Sequence, residues 1–376
     1  MTSIDLAGIA ISAFFIIFIL SRKKLKMTDL LLLLINLGII ALLVVDWMFQ
    51  RRLSPFVFLL LNIIPLLFYP IFIIYALEML MEKVHHRGRW IILFLPALIT
   101  SVYIGSDLFI SHHYDQAQLE HLYEFPTLGY HLLSKGFPIV FMVVLVWLIK
   151  RLKAYAANIK DRYSFIDPIE LRWLTRSTWI YIFITILSLL GAIIAQFQIL
   201  PITAHAVCSA VGIFMFFAIF YVSFHGIRQY NNIDAASEIP DAGAPIKYKA
   251  STLSEPEQQL IFEKIVRLFE EKKIYQEPKL QLNDVANSLK VSSHILSQTI
   301  NATTGKHFYD FVNSYRVRHL QKLLEDPAQQ KFTILSLGFE SGFNSKASLN
   351  RVFRQDTGLS PSEYSARHRP RQVSAM

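Results

Sequence analysis

Long apolar runs constrain this chain more than any other feature. Seven of them fill residues 1–225: Ile4–Leu20, Leu30–Phe49, Phe56–Leu80, Trp90–Ile110, Phe137–Ile149, Trp179–Phe197 and Ile202–Phe224. A helix needs about 17–25 apolar residues to cross the hydrocarbon layer of a membrane. The fifth run reaches that length only if its helix starts near Tyr130 and Lys150 snorkels to the interface. Helices of a soluble bundle keep a polar face, and these runs lack one. The expected fold class is therefore all-α, with a seven-helix transmembrane bundle over residues 1–225. Composition agrees: 53% of residues are hydrophobic, 17% are charged, and the mean hydropathy is +0.39. That excludes a disordered or collagen-like chain. A single cysteine, Cys208, excludes a disulfide framework and any multi-cysteine metal site.

Basic residues set the expected orientation. With the N-terminus outside, the inside loops hold Arg22, Lys23, Lys24 and Lys26, then Lys83, Arg87 and Arg89, then seven more between Lys150 and Arg176. The outside loops hold only Arg51, Arg52 and Lys135. The positive-inside rule then puts everything after Phe224 in the cytoplasm. The first run is not a cleaved signal, because its basic residues follow it rather than precede it. In the third inside loop, Asp167-Pro168-Ile169-Glu170 reads as the start of a helix that runs on into the sixth span.

The remainder is different in kind. Residues 226–256 are rich in small residues, Pro and Asp without apolar periodicity, and read as a flexible linker. Residues 257–376 read as soluble amphipathic helices. One runs from Gln258 to Glu271, with Leu260, Ile261, Ile265, Leu268 and Phe269 at helical spacing. Val285, Ala286 and Leu289 then face Ile295, Leu296 and Ile300 across a tight turn at Val291-Ser292. That is a helix-turn-helix pattern. After a longer helix, Tyr309–Glu325, the pattern recurs from Thr333 to Tyr364. There Gly342-Phe343 forms the turn, and Leu349, Val352 and Phe353 face inward.

The second copy carries a specific string: Gly342-Phe343, Ser345, Asn350-Arg351, Phe353-Arg354, Gly358, then Ser360-Pro361-Ser362-Glu363-Tyr364. On these residues the segment from about Leu280 to Arg369 resembles the AraC/XylS-type DNA-binding domain. The architecture of the front end resembles membrane-bound regulators in which such a domain follows a helical membrane sensor. The resemblance implies two helix-turn-helix units on one linker helix, each placing a recognition helix in a major groove. It also implies transcription activation and work alongside RNA polymerase. Two positions depart from the family pattern. Gly338 stands where Ala is preferred, and Gln281 stands where Ser or Thr caps, each worth about 1 kcal/mol of helix stability.

The candidate DNA-contacting residues follow from helical spacing. On the first recognition helix they are Ser293, His294, Ser297, Gln298 and Asn301, with no Lys or Arg among them. On the second they are Lys346, Asn350, Arg351 and Arg354, of which Lys346, Asn350 and Arg354 share one face. Residues 278–376 carry 13 basic and 7 acidic side chains, a balance suited to phosphate. Ionisable groups near the span ends, Asp46, Asp107 and His205, are the candidate ligand-sensing residues. The outer loop adds His112, His113, His121 and His131, with imidazoles suited to a pH cue.

No phosphate loop, nucleophile elbow or metal-ligand spacing is present in the sequence, so neither a cofactor nor an enzyme activity is expected. The expected partners are double-stranded DNA, membrane lipid, RNA polymerase, a second copy in a homodimer, and a small-molecule or pH cue. The expected site is the bacterial cytoplasmic membrane, multi-pass, with the N-terminus outside. The alternative is a transporter or membrane enzyme with an appended DNA-binding regulatory domain. Two routes lead from the spans to the DNA-binding half, the seventh helix and the third inside loop; the expectation is that the seventh span drives or reorients a dimer and that the linker only sets reach.

Overall fold

The structure is a computed structural model and describes residues 3–51, 54–80, 87–110, 128–196, 204–235 and 254–368. Among these residues the regular structure is helical, apart from an isolated bridge between Tyr163 and Gln281. The chain divides into two compact units. One holds residues 1–153 and 171–234. The other holds residues 154–170 and 235–376.

The first unit contains α1 (Ser3–Leu20), α2 (Met27–Arg51), α3 (Pro55–Met79), α4 (Leu95–Ile110), most of α5 (Leu128–Arg162), α6 (Arg172–Gln196) and α7 (Ala204–Ala235). Each of the seven expected runs thus lies on a helix. Among the described residues only four stretches are long and apolar enough to cross a membrane: Met27–Met48, Leu59–Met79, Arg172–Gly191 and Ala210–Gln229. The expected count of seven spans is corrected to four. The reasons are lengths and charges. The apolar part of α1, Asp5–Leu20, rises only about 24 Å at 1.5 Å per residue. The fourth run opens as a 3-10 turn over Arg87–Phe94, which leaves α4 with 16 residues. Helix α5 is long, but its apolar stretch stops at Lys150.

Polar pairs fix the packing of this unit where apolar contact alone would let helices slide. Arg22 is ion-paired with Asp29, which is 1% exposed, and Asp29 also accepts the Lys26 N–H at 2.9 Å. Asn36 on α2 donates to the Ser223 hydroxyl on α7 at 2.9 Å, both side chains being buried. The Tyr69 hydroxyl on α3 meets Thr185 on α6 at 2.9 Å. Phe72 stacks on Tyr181 with ring centroids 4.2 Å apart.

The second unit contains α8 (Glu255–Lys272), α9 (Leu282–Leu289), α10 (Ser293–Thr304), α11 (Phe308–Glu325), α12 (Ile334–Glu340), α13 (Lys346–Thr357) and α14 (Pro361–His368). Its boundaries follow the sequence signals. Ser254 and Glu257 form a capping box on α8. Ser292, Thr333 and Ser345 each accept a backbone N–H three residues on, starting α10, α12 and α13. Gly305 and Gly358 end α10 and α13 in the left-handed conformation. Phe269, Val285, Leu296, Ile300 and Phe311 form one buried core linking α8, the first helix-turn-helix and α11.

Two expected weaknesses have structural answers. A Cβ at Gly338 would lie 2.6 Å from the Leu349 side chain, so the glycine lets α12 sit close on α13. At Gln281 the Asp284 carboxylate accepts the backbone N–H at 2.8 Å, standing in for the missing hydroxyl cap. One expectation fails outright. Asp167–Glu170 is not a helix start: the Ile169 and Glu170 N–H groups bond to the Ile166 carbonyl in a turn, and α6 begins at Arg172. The Asp167 side chain is engaged elsewhere, as described next.

Candidate nucleic-acid interface

Helices α9 and α10 form the first helix-turn-helix, α12 and α13 the second, and α11 joins them. The turn of the first is made by Lys290 in the left-handed conformation, φ 55°. That of the second is made by Gly342, φ 94°. At Gly342 a Cβ would meet the Tyr275 carbonyl at 2.5 Å, so both the conformation and the space require glycine.

The two recognition helices present different surfaces. On α13, Lys346, Asn350 and Arg354 are exposed, as their spacing predicts. On α10, Asn301 is exposed, while Ser293, His294 and Gln298 are half-buried. Ser297 is 2% exposed and lies on the inner side of α10, not the outer side its spacing suggested. The Ser293 hydroxyl donates to Asn283 on α9.

Arg351 is half-buried and turned inward. Its guanidinium donates to Asp167 at 2.5 Å, and the other Asp167 oxygen accepts from the Ser345 hydroxyl at 3.2 Å. Burial alone would lower the Arg351 pKa, but Tyr309, Asp167 and Glu170 outweigh it and raise it. The same Tyr309 hydroxyl is pushed up by burial, partly offset by Arg351.

The residue that organises this region is Arg316, which the sequence reading missed. It is 2% exposed, on the inner face of α11. Its guanidinium donates to the carbonyls of Tyr275 at 2.8 Å, Glu277 at 2.8 Å and Ser164 at 3.2 Å, and to the Ser164 hydroxyl at 3.0 Å. Burial pulls its pKa down to about 10, so it stays ionised at neutral pH. The signal was available: Val312, Arg316 and Leu320 are spaced by four, placing a charge in the middle of an apolar stripe.

The three sensing candidates lie on three different helices. Asp46 is half-buried on α2. Asp107 lies on α4 and His205 on α7, and their side chains fall outside the described residues, as does that of His131 on α5. His112, His113 and His121 lie outside the described residues altogether.

Comparison with known proteins bears on the second unit. A family model described as a helix-turn-helix domain matches residues 285–367. From Val285 onward it takes in both helix-turn-helix units and supports an AraC-type DNA-binding regulator. No curated protein matches the chain. A solved structure of a protein of unknown function from Listeria innocua is 25% identical, with a TM-score of 0.26, over 29% of this chain and 98% of its own.

Proposed function

We propose that the chain is a membrane-embedded, one-component transcription regulator. Its helical first unit sits in the bacterial cytoplasmic membrane, and its second unit binds promoter DNA from the cytoplasmic side. The observation that carries this reading is the coexistence, in one chain, of four helices of membrane-crossing length with a matched helix-turn-helix domain. A soluble regulator has no use for the first, and a transporter has none for the second.

On DNA, α13 lies in a major groove with Lys346, Asn350 and Arg354 toward the duplex. The guanidinium of Arg354 can bind a guanine edge in bidentate fashion, Asn350 an adenine edge, and Lys346 a phosphate. Helix α10 offers hydroxyl, imidazole and amide groups instead, which suit hydrogen bonding but release few counterions. The cue acts from outside or within the membrane, with Asp46, Asp107 and His205 as its candidate contacts. The output is activation through RNA polymerase, with two copies paired on DNA.

The test has two arms. In a chain with Cys208→Ser, a cysteine at Gln198, between α6 and α7, is labelled from outside intact cells and one at Lys153 is not. The opposite pattern removes the proposed topology. The purified full chain in lipid nanodiscs binds duplex DNA, with affinity falling linearly in log–log against salt. Failure to bind at low salt removes the DNA-binding reading.

A further inference from the structure

Residues 160–170, the end of α5 and the connection from it to α6, are built into the DNA-binding unit. They attach at each of its parts. At the first helix-turn-helix, the Ser164 N–H donates to the Leu280 carbonyl at 3.1 Å and Tyr163 pairs with Gln281. A cleft there brings Arg162 and Tyr163 alongside Ser293 and His294, at the start of α10. At the linker helix, Asp161 meets His307 Nδ1 at 2.7 Å, and Ser164 receives Arg316 and Asn313. At the second helix-turn-helix, Asp167 holds Arg351 and Ser345. The segment thus bonds to the start of α13 and lines a cleft with the start of α10.

The contact at α13 has a particular chemistry. Ser345 is the cap of α13, and Arg351 lies two turns further on. A helix N-terminus with a hydroxyl and a guanidinium beside it is a donor set for an anionic oxygen, and a DNA phosphate is the usual occupant in a recognition helix. Here that donor set is filled by a carboxylate of the same chain.

We propose that residues 160–170 are an intrachain brace in which Asp167 stands in for a DNA phosphate, holding Arg351 and the start of α13 back from DNA. The proposal rests on the DNA-binding reading above and names how that binding is regulated. Both ends of the brace continue into α5 and α6, so a change in either helix acts on Asp167 without passing through residues 236–253. Of the two routes open from sequence, the third inside loop carries the signal.

The test uses the full chain in nanodiscs and a duplex that the wild type binds. Asp167→Asn keeps the shape of the turn and removes the charge. It raises affinity about two- to fivefold, the range of a half-exposed ion pair. Arg351→Ala lowers affinity and abolishes the gain from Asp167→Asn in the double variant. A gain that survives Arg351→Ala is a general charge effect and overturns the brace, as does equal binding by Asp167→Asn and wild type. Failure of every form to bind duplex overturns the DNA-binding reading and the brace together. A second measurement needs no variant. Adding the duplex to the wild type accelerates hydrogen exchange at the Ile169 and Glu170 amides, which the turn at Ile166 protects. Exchange that is unchanged or slowed overturns the proposal.

Discussion

The two helix-turn-helix units share a plan and differ in what they offer a duplex. Both begin their recognition helix with a serine cap and end it with a left-handed glycine. Helix α13 then exposes Lys346, Asn350 and Arg354 along one face, while α10 carries no Lys or Arg and folds Ser297 inward. Such an asymmetry teaches that a repeated fold need not mean a repeated function. On this surface the second unit supplies charge and the first supplies hydrogen-bonding groups. Intrachain contacts sharpen the contrast, since the brace ion-pairs with a residue of α13 and only flanks α10.

The largest effect is expected where the two units are joined. Arg316 is buried and bonded to carbonyls from two separate stretches of chain, at Ser164 and at Tyr275–Glu277. Arg316→Met removes a charged donor from each of those carbonyls, at a cost of ~3–5 kcal/mol for the several charge-assisted hydrogen bonds lost at a buried site. Hydrogen exchange of the α11 amides under increasing urea measures it. A loss under 1 kcal/mol would mean that the apolar core alone holds the two units in register, and the comparison between them would then concern independent domains.

Next in size is the difference in DNA contacts. Arg354→Ala costs about 1–3 kcal/mol and relaxes sequence preference at one position if the guanidinium reads a base. The slope of log affinity against log salt falls by about one for Lys346→Ala. Asn301→Ala on α10 leaves the salt slope unchanged. An equal slope change from both helices would break the asymmetry.

Much of this was legible in the sequence, for physical reasons that also mark the limits. Caps, left-handed glycines and apolar spacing are local, so the helices of the second unit could be placed almost to the residue: Gln258–Glu271 lies within α8, and Tyr309–Glu325 is α11 less one residue. Span counting was less secure. Apolar runs mark where helices lie, but α1 and α4 show that a run and a helix of membrane length are not the same thing. Asp167 was read as a cap because the local signal was good, and a long-range ion pair overrode it. Arg316 and Ser164 are 152 residues apart, and no spacing rule reaches that far.

A smaller effect tests packing in the second unit. Gly338→Ala gains about 1 kcal/mol of helix propensity, yet its Cβ meets Leu349, which is 2% exposed. Overpacking of this kind costs ~1–3 kcal/mol, so a net loss of about 1 kcal/mol is expected. Leu349→Val in the same chain recovers part of it. A stabilised single variant would show that α12 can move off α13 at no cost.

The smallest effect concerns Ser297, and it decides whether α10 reads DNA at the positions its spacing suggests. Helical spacing puts Ser297 beside His294 and Asn301, on the side that should face the duplex. The structure buries it, with its hydroxyl lacking a hydrogen-bond partner in the fold. A buried hydroxyl without a partner costs more than a methyl group in its place. Ser297→Ala is therefore expected to leave DNA affinity and specificity unchanged and to raise the stability of the second unit by a few tenths of a kcal/mol. Gln298→Ala, one position on and half-buried, serves as its pair and should weaken binding measurably. If Ser297→Ala instead lowers affinity while Gln298→Ala does not, α10 turns about its axis on DNA and presents a different face from the one seen here. The contrast between the two units would then belong to the DNA-free state alone.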